Sequence, residues 1–378
     1  MQTINYASLR GVRITLLTLS ALLMTFLSYG RQIDFSKMES MKPRNIGPAN
    51  MSGRITSIDV VRNNPEIIYA GSASGGLWKS ESGGIAWEPI FDDNLALSIG
   101  AVAVSQKNPD VVWVGTGEGN PRNSLTGGYG VYRSLDAGAT WELMGLEKTR
   151  NIHRIIIHPD DPNTVYIGAI GSPWGDHPER GVYKTTDAGK TWNQILYIDQ
   201  MTGVGDMVMD PSNPDKILVN MWQHRREPWF FTSGGPSSGL YMTMDGGQNW
   251  TKQSAEKNGL PEGDVGRMGL AFATNNPDRV YAIIEAKDNA LYRSENGGKN
   301  WTMINDKSDI GNRPFYYFDI YVDPKNENRL YSIFTNVNVS EDGGKSFTGL
   351  IERNLIHVDN HALYINPDDP KYMILGND

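Results

Sequence analysis

Side chains that could bind or cut a polar polymer gather in a few glycine- and proline-rich stretches of this 378-residue chain. "GTGEGNPRNSLTGGYG" (115–130) holds Glu118 and Arg122, and "GAIGSPWGDHPERG" (168–181) holds Trp174, Asp176, His177, Glu179 and Arg180. "NMWQHRREPWFFTSGGPSSG" (220–239) holds Trp222, His224, Arg225, Arg226 and Trp229. "IGNRPFYYF" (310–318) adds Arg313, Tyr316 and Tyr317, and "LIHVDNHAL" (355–363) adds His357, Asp359 and His361. Aromatic rings cover the apolar faces of a sugar or peptide, while carboxylates and guanidiniums take hydroxyls or opposite charges. Glu118, Asp176 and Glu179 are the candidate acids of a glycoside hydrolase, which needs two carboxyl groups about 5 to 10 Å apart across the bond. The competing reading packs the same groups against each other as an Arg/Glu-laced cap.

If "HVDNH" is extended, His357, Asp359 and His361 fall on one face of a strand, a set that could hold a metal. Two histidines and one aspartate on one strand is little to go on. Hydrogen bonding or ligand contact at a channel mouth is the expected role, and no metal or cofactor is expected.

The elements that must position these stretches repeat. "SESGGIAW" begins at Ser80, "SLDAGATW" at Ser134, "TTDAGKTW" at Thr185, "TMDGGQNW" at Thr243, "SENGGKNW" at Ser294 and "SEDGGKSF" at Ser340. An Asn-Pro-type turn and an apolar run precede each, as in "NPEIIYAG" at Asn64 and "NPDVVWVG" at Asn108, with a seventh copy, "DPKYMILG", at Asp369. Short alternating runs come before these turns, among them 55–61, 99–105, 154–159 and 318–324. Four short strands in a unit of about 50 residues make a propeller blade. The expected fold is all-β: a β-propeller of six complete blades plus a partial seventh, four antiparallel strands per blade, over residues 51–378.

Within each octapeptide the carboxylate can accept the N–H groups that a tight turn leaves unpaired, a glycine supplies positive φ, and the final aromatic packs on the blade. Asp136, Asp187, Asp245, Asn296 and Asp342 are therefore expected to be structural. The first copy has Ser82 at the Asp position and Ala86 at the Thr position. The Asn-Pro turn and the octapeptide both follow odd-numbered strands of a meander, so they share one face. The variable stretches above share the other, where function is expected.

A formal charge of -8, with no long Lys/Arg run, excludes the footprint of a nucleic-acid binder. Arg10, Arg13, the run "ITLLTLSALLMTFL", and Ser28 and Gly30 predict a signal peptide over 1–30, with an N-terminal anchor as the alternative. Its removal would bring the charge to about -10 and leave no stable membrane span. Zero cysteines exclude a disulfide framework. The chain is expected to be secreted, periplasmic or on the surface of a bacterium. After "DPKYMILGND" the unit pattern asks for another strand and box. That predicts a longer parent chain with further domains, or a blade completed by residues 31–50 around "MKPRNIGPAN".

The octapeptide is the Asp-box, or BNR repeat. With the Asn-Pro strands it resembles the sortilin N-terminal superfamily and exported bacterial "glycosyl hydrolase, BNR repeat" propellers, and is distantly similar to the xyloglucanases of glycoside hydrolase family 74. That resemblance covers almost all of the chain beyond residue 50. In family 74 a catalytic Asp lies in the first blade in an "RTD-x-GG" context, and its second carboxylate belongs to a second propeller. The matching stretch here is "GSASGG", with Ala73 at that Asp's place. Sialidases share the box but add an Arg-Ile-Pro motif, which this sequence lacks. The photosystem assembly factor of cyanobacteria and plastids is a non-enzymatic relative. Together these imply an exported propeller binding an extracellular polysaccharide or peptide through its loop-rich face. The alternatives are a glycoside hydrolase with a different carboxylate pair, and an assembly role marked by an apolar patch.

Overall fold

Apolar runs of four to six residues, each closed by a Pro- or Gly-bearing turn, fold as successive antiparallel hairpins. The computed structural model describes residues 53–378; the expected signal peptide (1–30) and N-terminal segment (31–50) lie outside them. Blade one holds β1 (Ile55–Val60), β2 (Ile68–Ser72), β3 (Leu77–Ser80) and β4 (Glu88–Pro89). Blade two holds β5 (Ile99–Val104), β6 (Val112–Thr116), β7 (Val131–Ser134) and β8 (Glu142–Leu143). Blade three holds β9 (Ile152–Ile157), β10 (Val165–Ala169), β11 (Gly181–Thr185) and β12 (Asn193–Leu196). In blade four β13 (Thr202–Asp210), β14 (Asn213–Arg226), β16 (Gly239–Thr243) and β17 (Thr251–Lys252) pair in order, and β15 (Phe231–Ser233) pairs with the end of β14. Blade five holds β18 (Met268–Phe272), β19 (Val280–Ile284), β20 (Ala290–Ser294) and β21 (Thr302–Asn305). Blade six holds β22 (Asp319–Asp323), β23 (Asn326–Ile333), β24 (Val337–Ser340) and β25 (Thr348–Gly349), and β26 (Asn360–Ile365) pairs with β27 (Met373–Asn377) as the seventh sheet.

The hydrophobic core is divided into clusters between neighbouring blades. Tyr69 and Phe91 of blade one pack with Ile99 and Val102 of blade two, and so on round to Tyr331 with Leu363 between blades six and seven. Second strands are buried on both faces, which is why they read as unbroken apolar runs and not as alternating ones. A glycine near the end of that strand lets the next blade close in. A Cβ on Gly71 would lie 2.5 Å from Ile99, on Gly115 2.4 Å from Ile152, and on Gly376 2.7 Å from Ile55. The last contact joins the seventh sheet to the first blade, so the ring is closed.

Asp136 accepts the Thr140 N–H at 2.8 Å and the Ser134 hydroxyl at 2.7 Å, and the Thr140 hydroxyl donates to it at 2.6 Å. These bonds, Thr140's first, hold its pKa at about 2. Ser82 substitutes in the first box, accepting the Ala86 N–H at 2.9 Å. Each box also bonds to the Asn-Pro turn of its own blade, as Ala137 N–H to Asp110 at 2.9 Å and Gly297 N–H to Asp278 at 2.7 Å. Boxes and Asn-Pro turns therefore share a face, and the variable loops lie on the opposite one.

Two expectations about elements change. The strand expected at 154–159 runs over Ile152–Ile157. The stretch 220–239 is not an irregular loop: β14 continues to Arg226 and β15 returns against it, because Trp222 and His224 alternate inward with Gln223 and Arg225 outward.

Candidate functional site

At the mouth of the central channel the loop-rich face is built from the starts of inner strands and the ends of second strands. Arg54, just ahead of β1, holds the buried Glu118 beyond β6 through both of its carboxylate oxygens. Burial opposes the charge on Arg54, but the Glu118 carboxylate outweighs it and raises the pKa. Beside them Arg122 bonds to the Tyr316 hydroxyl and lies 3.4 Å from Asp378. Tyr316 donates to Asp378 at 3.1 Å, and His361 Nε2 is 2.9 Å from the same carboxylate. Burial works against ionisation of Asp378, yet the His361 and Tyr316 bonds keep its pKa below the usual carboxylate value.

Deeper in the channel a second network crosses the ring. Arg154 on β9 donates to Asp206 on β13 at 2.6 Å and to Asp319 on β22 at 2.8 Å. Arg267 reaches Asn120 at 3.0 Å and lies 3.2 Å from His153 Nε2. Burial, and then the adjacent guanidiniums, push His153 well below its ordinary pKa, so it is neutral. Arg154, Asp206, Asp319 and Tyr321 line a cavity of ≈ 290 Å³ here. Asp206, Asp319, His153 and Arg267 are buried, so these groups are held by one another.

The β14–β15 arm ties three loops together. Arg225 pairs with Asp176, Arg226 N–H donates to Pro173 at 2.8 Å, and Arg226 Nε donates to Asn123 at 2.6 Å. On its inner side Trp222 stacks on His224 at 4.5 Å, and Phe231 meets Phe315 at 5.2 Å. Arg180 is fully buried beneath, donating to Ser172 at 2.6 Å and Met201 at 2.9 Å. The arm's tip turns at Glu227, whose N–H donates to Phe230 at 2.9 Å. Trp229 at that tip is 79% exposed, Phe230 49% and Trp174 on the adjoining loop 40%.

The predicted site residues thus divide. Trp174, Asp176, His177, Glu179, Arg225 and Trp229 reach the surface of the loop-rich face to differing degrees. Glu118, Arg180, Trp222, His224, Tyr316 and His361 are buried beneath it, with Arg122 paired at its edge. Arg313 lies over the rings of Phe315, Tyr316 and Tyr317, 5.1 Å from Tyr316. His357, Asp359 and His361 do not share a strand face: β26 starts at Asn360, and Asp359 takes a φ of 64°. His361 alone turns inward, while His357 is exposed and bonds to Val358. Among the described residues no group of three or more His, Asp or Glu is arranged to hold a metal. Sequence reasoning missed Asp378. Its signal is the repeat register: Asp378 follows Gly376 as Ala73 follows Gly71, so blade seven has a carboxylate where blade one has Ala73.

Fold and site define an Asp-box β-propeller with a charged channel mouth and a loop-rich face. A family model described as Sortilin-Vps10 (sortilin, neurotensin receptor 3) matches residues 129–279. The chain is 25% identical over 236 residues to a xyloglucanase of a Paenibacillus species, covering 56% of this chain and 22% of that protein. It is 27% identical over 134 residues to the vacuolar protein sorting/targeting protein 10 of Pyricularia oryzae, covering 33% of this chain and 8% of that one. The chain therefore spans less than a quarter of these relatives. Among solved structures, the family 74 xyloglucanase of Xanthomonas campestris superposes with a TM-score of 0.61 at 18% identity, covering 86% of this chain and 51% of that one. YCF48 of Cyanidioschyzon merolae superposes at 0.57 with 14% identity, covering 87% and 94%. At these identities the structures speak for the fold. The resemblance to sortilin-type and family 74 propellers stands, and among the described residues no helix is long and apolar enough to cross a membrane.

Proposed function

We propose that this chain is an exported propeller that binds an extracellular polysaccharide on its loop-rich face, without hydrolysing it. One observation carries the reading. Glu118 and Asp176 are each engaged by an arginine, while Trp174, Trp229 and Phe230 stand exposed on the loop and arm that the Arg225–Asp176 pair joins. An acid that protonates a leaving group must turn a free oxygen toward it, and Arg54 takes both oxygens of Glu118 while Arg225 takes Asp176. Exposed rings on a braced support are what sugar stacking asks for. The opposite face offers less. Its cavity of ≈ 320 Å³ is lined by Lys79, Glu81 and Asp136, but Lys79 and Glu81 pair at 2.6 Å and Asp136 is spent inside its box.

Family 74 relatives whose names say they act on xyloglucan support a polysaccharide over a peptide. The test is a screen of the chain against polysaccharides and peptides, with a reducing-sugar assay in parallel. Binding without sugar release is expected; release of reducing ends at a rate lost in Glu179→Gln would overturn it.

A further inference from the structure

Between blades two and three, away from the channel, the loop-rich face has a cavity of ≈ 560 Å³ lined by Tyr129, Glu147, Lys148, Arg150, His177 and Glu179. That volume lies within the range of small-ligand clefts. Three connections build it: the loop after β6 gives Tyr129, the link from β8 to β9 gives Glu147, Lys148 and Arg150, and the loop after β10 gives His177 and Glu179.

Its charges are unusual in one respect. Glu147 and Glu179 are half-buried and Lys148 and Arg150 exposed, yet no ion pair joins any acid here to either cation. Glu179 lies 3.5 Å from the His177 imidazole. Burial lowers the pKa of His177, with Glu179 pulling the other way and the Arg180 and Arg150 guanidiniums reinforcing burial, so the imidazole is neutral near pH 7. Elsewhere on this face Glu118 and Asp176 are closely paired.

The backbone here is also held in a strained form. Arg150 has φ 64° and ψ -50°, the centre of a γ-turn closed by Asn151 N–H to Thr149 at 2.7 Å, and Leu146 has φ 61°. Such residues persist only where surroundings over-determine them. Gly117 supplies the fit, since a Cβ there would lie 2.0 Å from the Arg150 carbonyl oxygen.

We propose that this groove is a subsite for one unit of a neutral polysaccharide, an inference that rests on the binding reading above. A sugar hydroxyl donates and accepts at once, so one uncharged unit can donate to Glu147 and Glu179, accept from Lys148 and Arg150, and lay its apolar face on Tyr129. With two acids and two cations the groove carries no net formal charge, which suits an uncharged unit better than a uronate.

Affinity electrophoresis of the full chain in gels containing soluble xyloglucan, mixed-linkage glucan or polygalacturonate tests this, with thermal midpoints as the check on folding. Tyr129→Ala and the double variant Glu147→Ala/Glu179→Ala are expected to weaken retention by a neutral polymer about tenfold each, the loss of one good anchor. Their melting is expected to match the parent's. Undiminished retention in both variants, with loss in Trp229→Ala, would overturn the subsite and leave the binding reading standing. Stronger retention by polygalacturonate than by either neutral polymer would overturn the ligand class. Absence of retention by any of the three in the parent chain would overturn the binding reading and the subsite together.

Discussion

Arg54 holds both carboxylate oxygens of Glu118, joining the start of the first inner strand to the loop that follows the second strand of blade two. Glu118 is fully buried and Arg54 half-buried, and the Glu118 backbone carbonyl also accepts from Asn151 Nδ2 at 2.7 Å. The pair pins blades one, two and three together at the channel mouth.

Removing one partner of a buried pair leaves the other unpaired, at about 3 to 5 kcal/mol. Glu118→Ala is therefore expected to lower the unfolding free energy by about 3 kcal/mol in urea melts. Unchanged stability with loss of a hydrolytic activity would make Glu118 a catalytic acid instead.

Ring closure rests on Gly376 against Ile55, the same contact that Gly71 makes with Ile99. Gly376→Ala is expected to destabilise by about 1 to 3 kcal/mol through overpacking, and Ile55→Ala, which removes the Cγ2 methyl that an added Cβ would meet at 2.7 Å, to relieve part of it. Additive effects in that double-mutant cycle would mean that the seventh sheet does not pack on the first blade.

The box carboxylates set the acid limb of stability. Asp136, Asp187 and Asp245 have folded pKa values of about 2, held mainly by bonds from Thr140, Thr191 and Asn249. A depressed folded pKa contributes stability above the unfolded value of about 3.9 that fades as pH falls through about 2. Thermal midpoints are expected to fall over that window. Asp136→Asn should flatten the decline, since Asn296 shows that an amide can accept the same N–H, from Asn300 at 2.9 Å.

How much of this the sequence carried follows from what repeats. Blade number, the face shared by Asp136 and the Asn-Pro turns, and the role of the boxes were legible because each recurs at a fixed place in a unit of nearly constant length. The arm was not. Trp222 to Arg226 occurs once, and its strand character depends on pairing with Phe231–Ser233, which no periodicity announces. Charges were legible as residue types and illegible as pairs: Glu118 looked free until Arg54, 64 positions away, closed on it. Glu147 and Arg150 passed unnoticed because the link from β8 to β9 carries no motif.

The exposed rings contribute little to folding. Trp229→Ala, at a position 79% exposed, is expected to change stability by less than about 0.5 kcal/mol. The same substitution should weaken polysaccharide binding about tenfold.

The central claim is met most directly by titrating soluble xyloglucan into the intact chain and into a Trp174→Ala/Trp229→Ala variant while following tryptophan fluorescence. Saturable quenching is expected in the parent, with loss of saturation in the variant and no reducing ends released from either. Equal saturation in both proteins, or release of reducing ends by the parent, would contradict it.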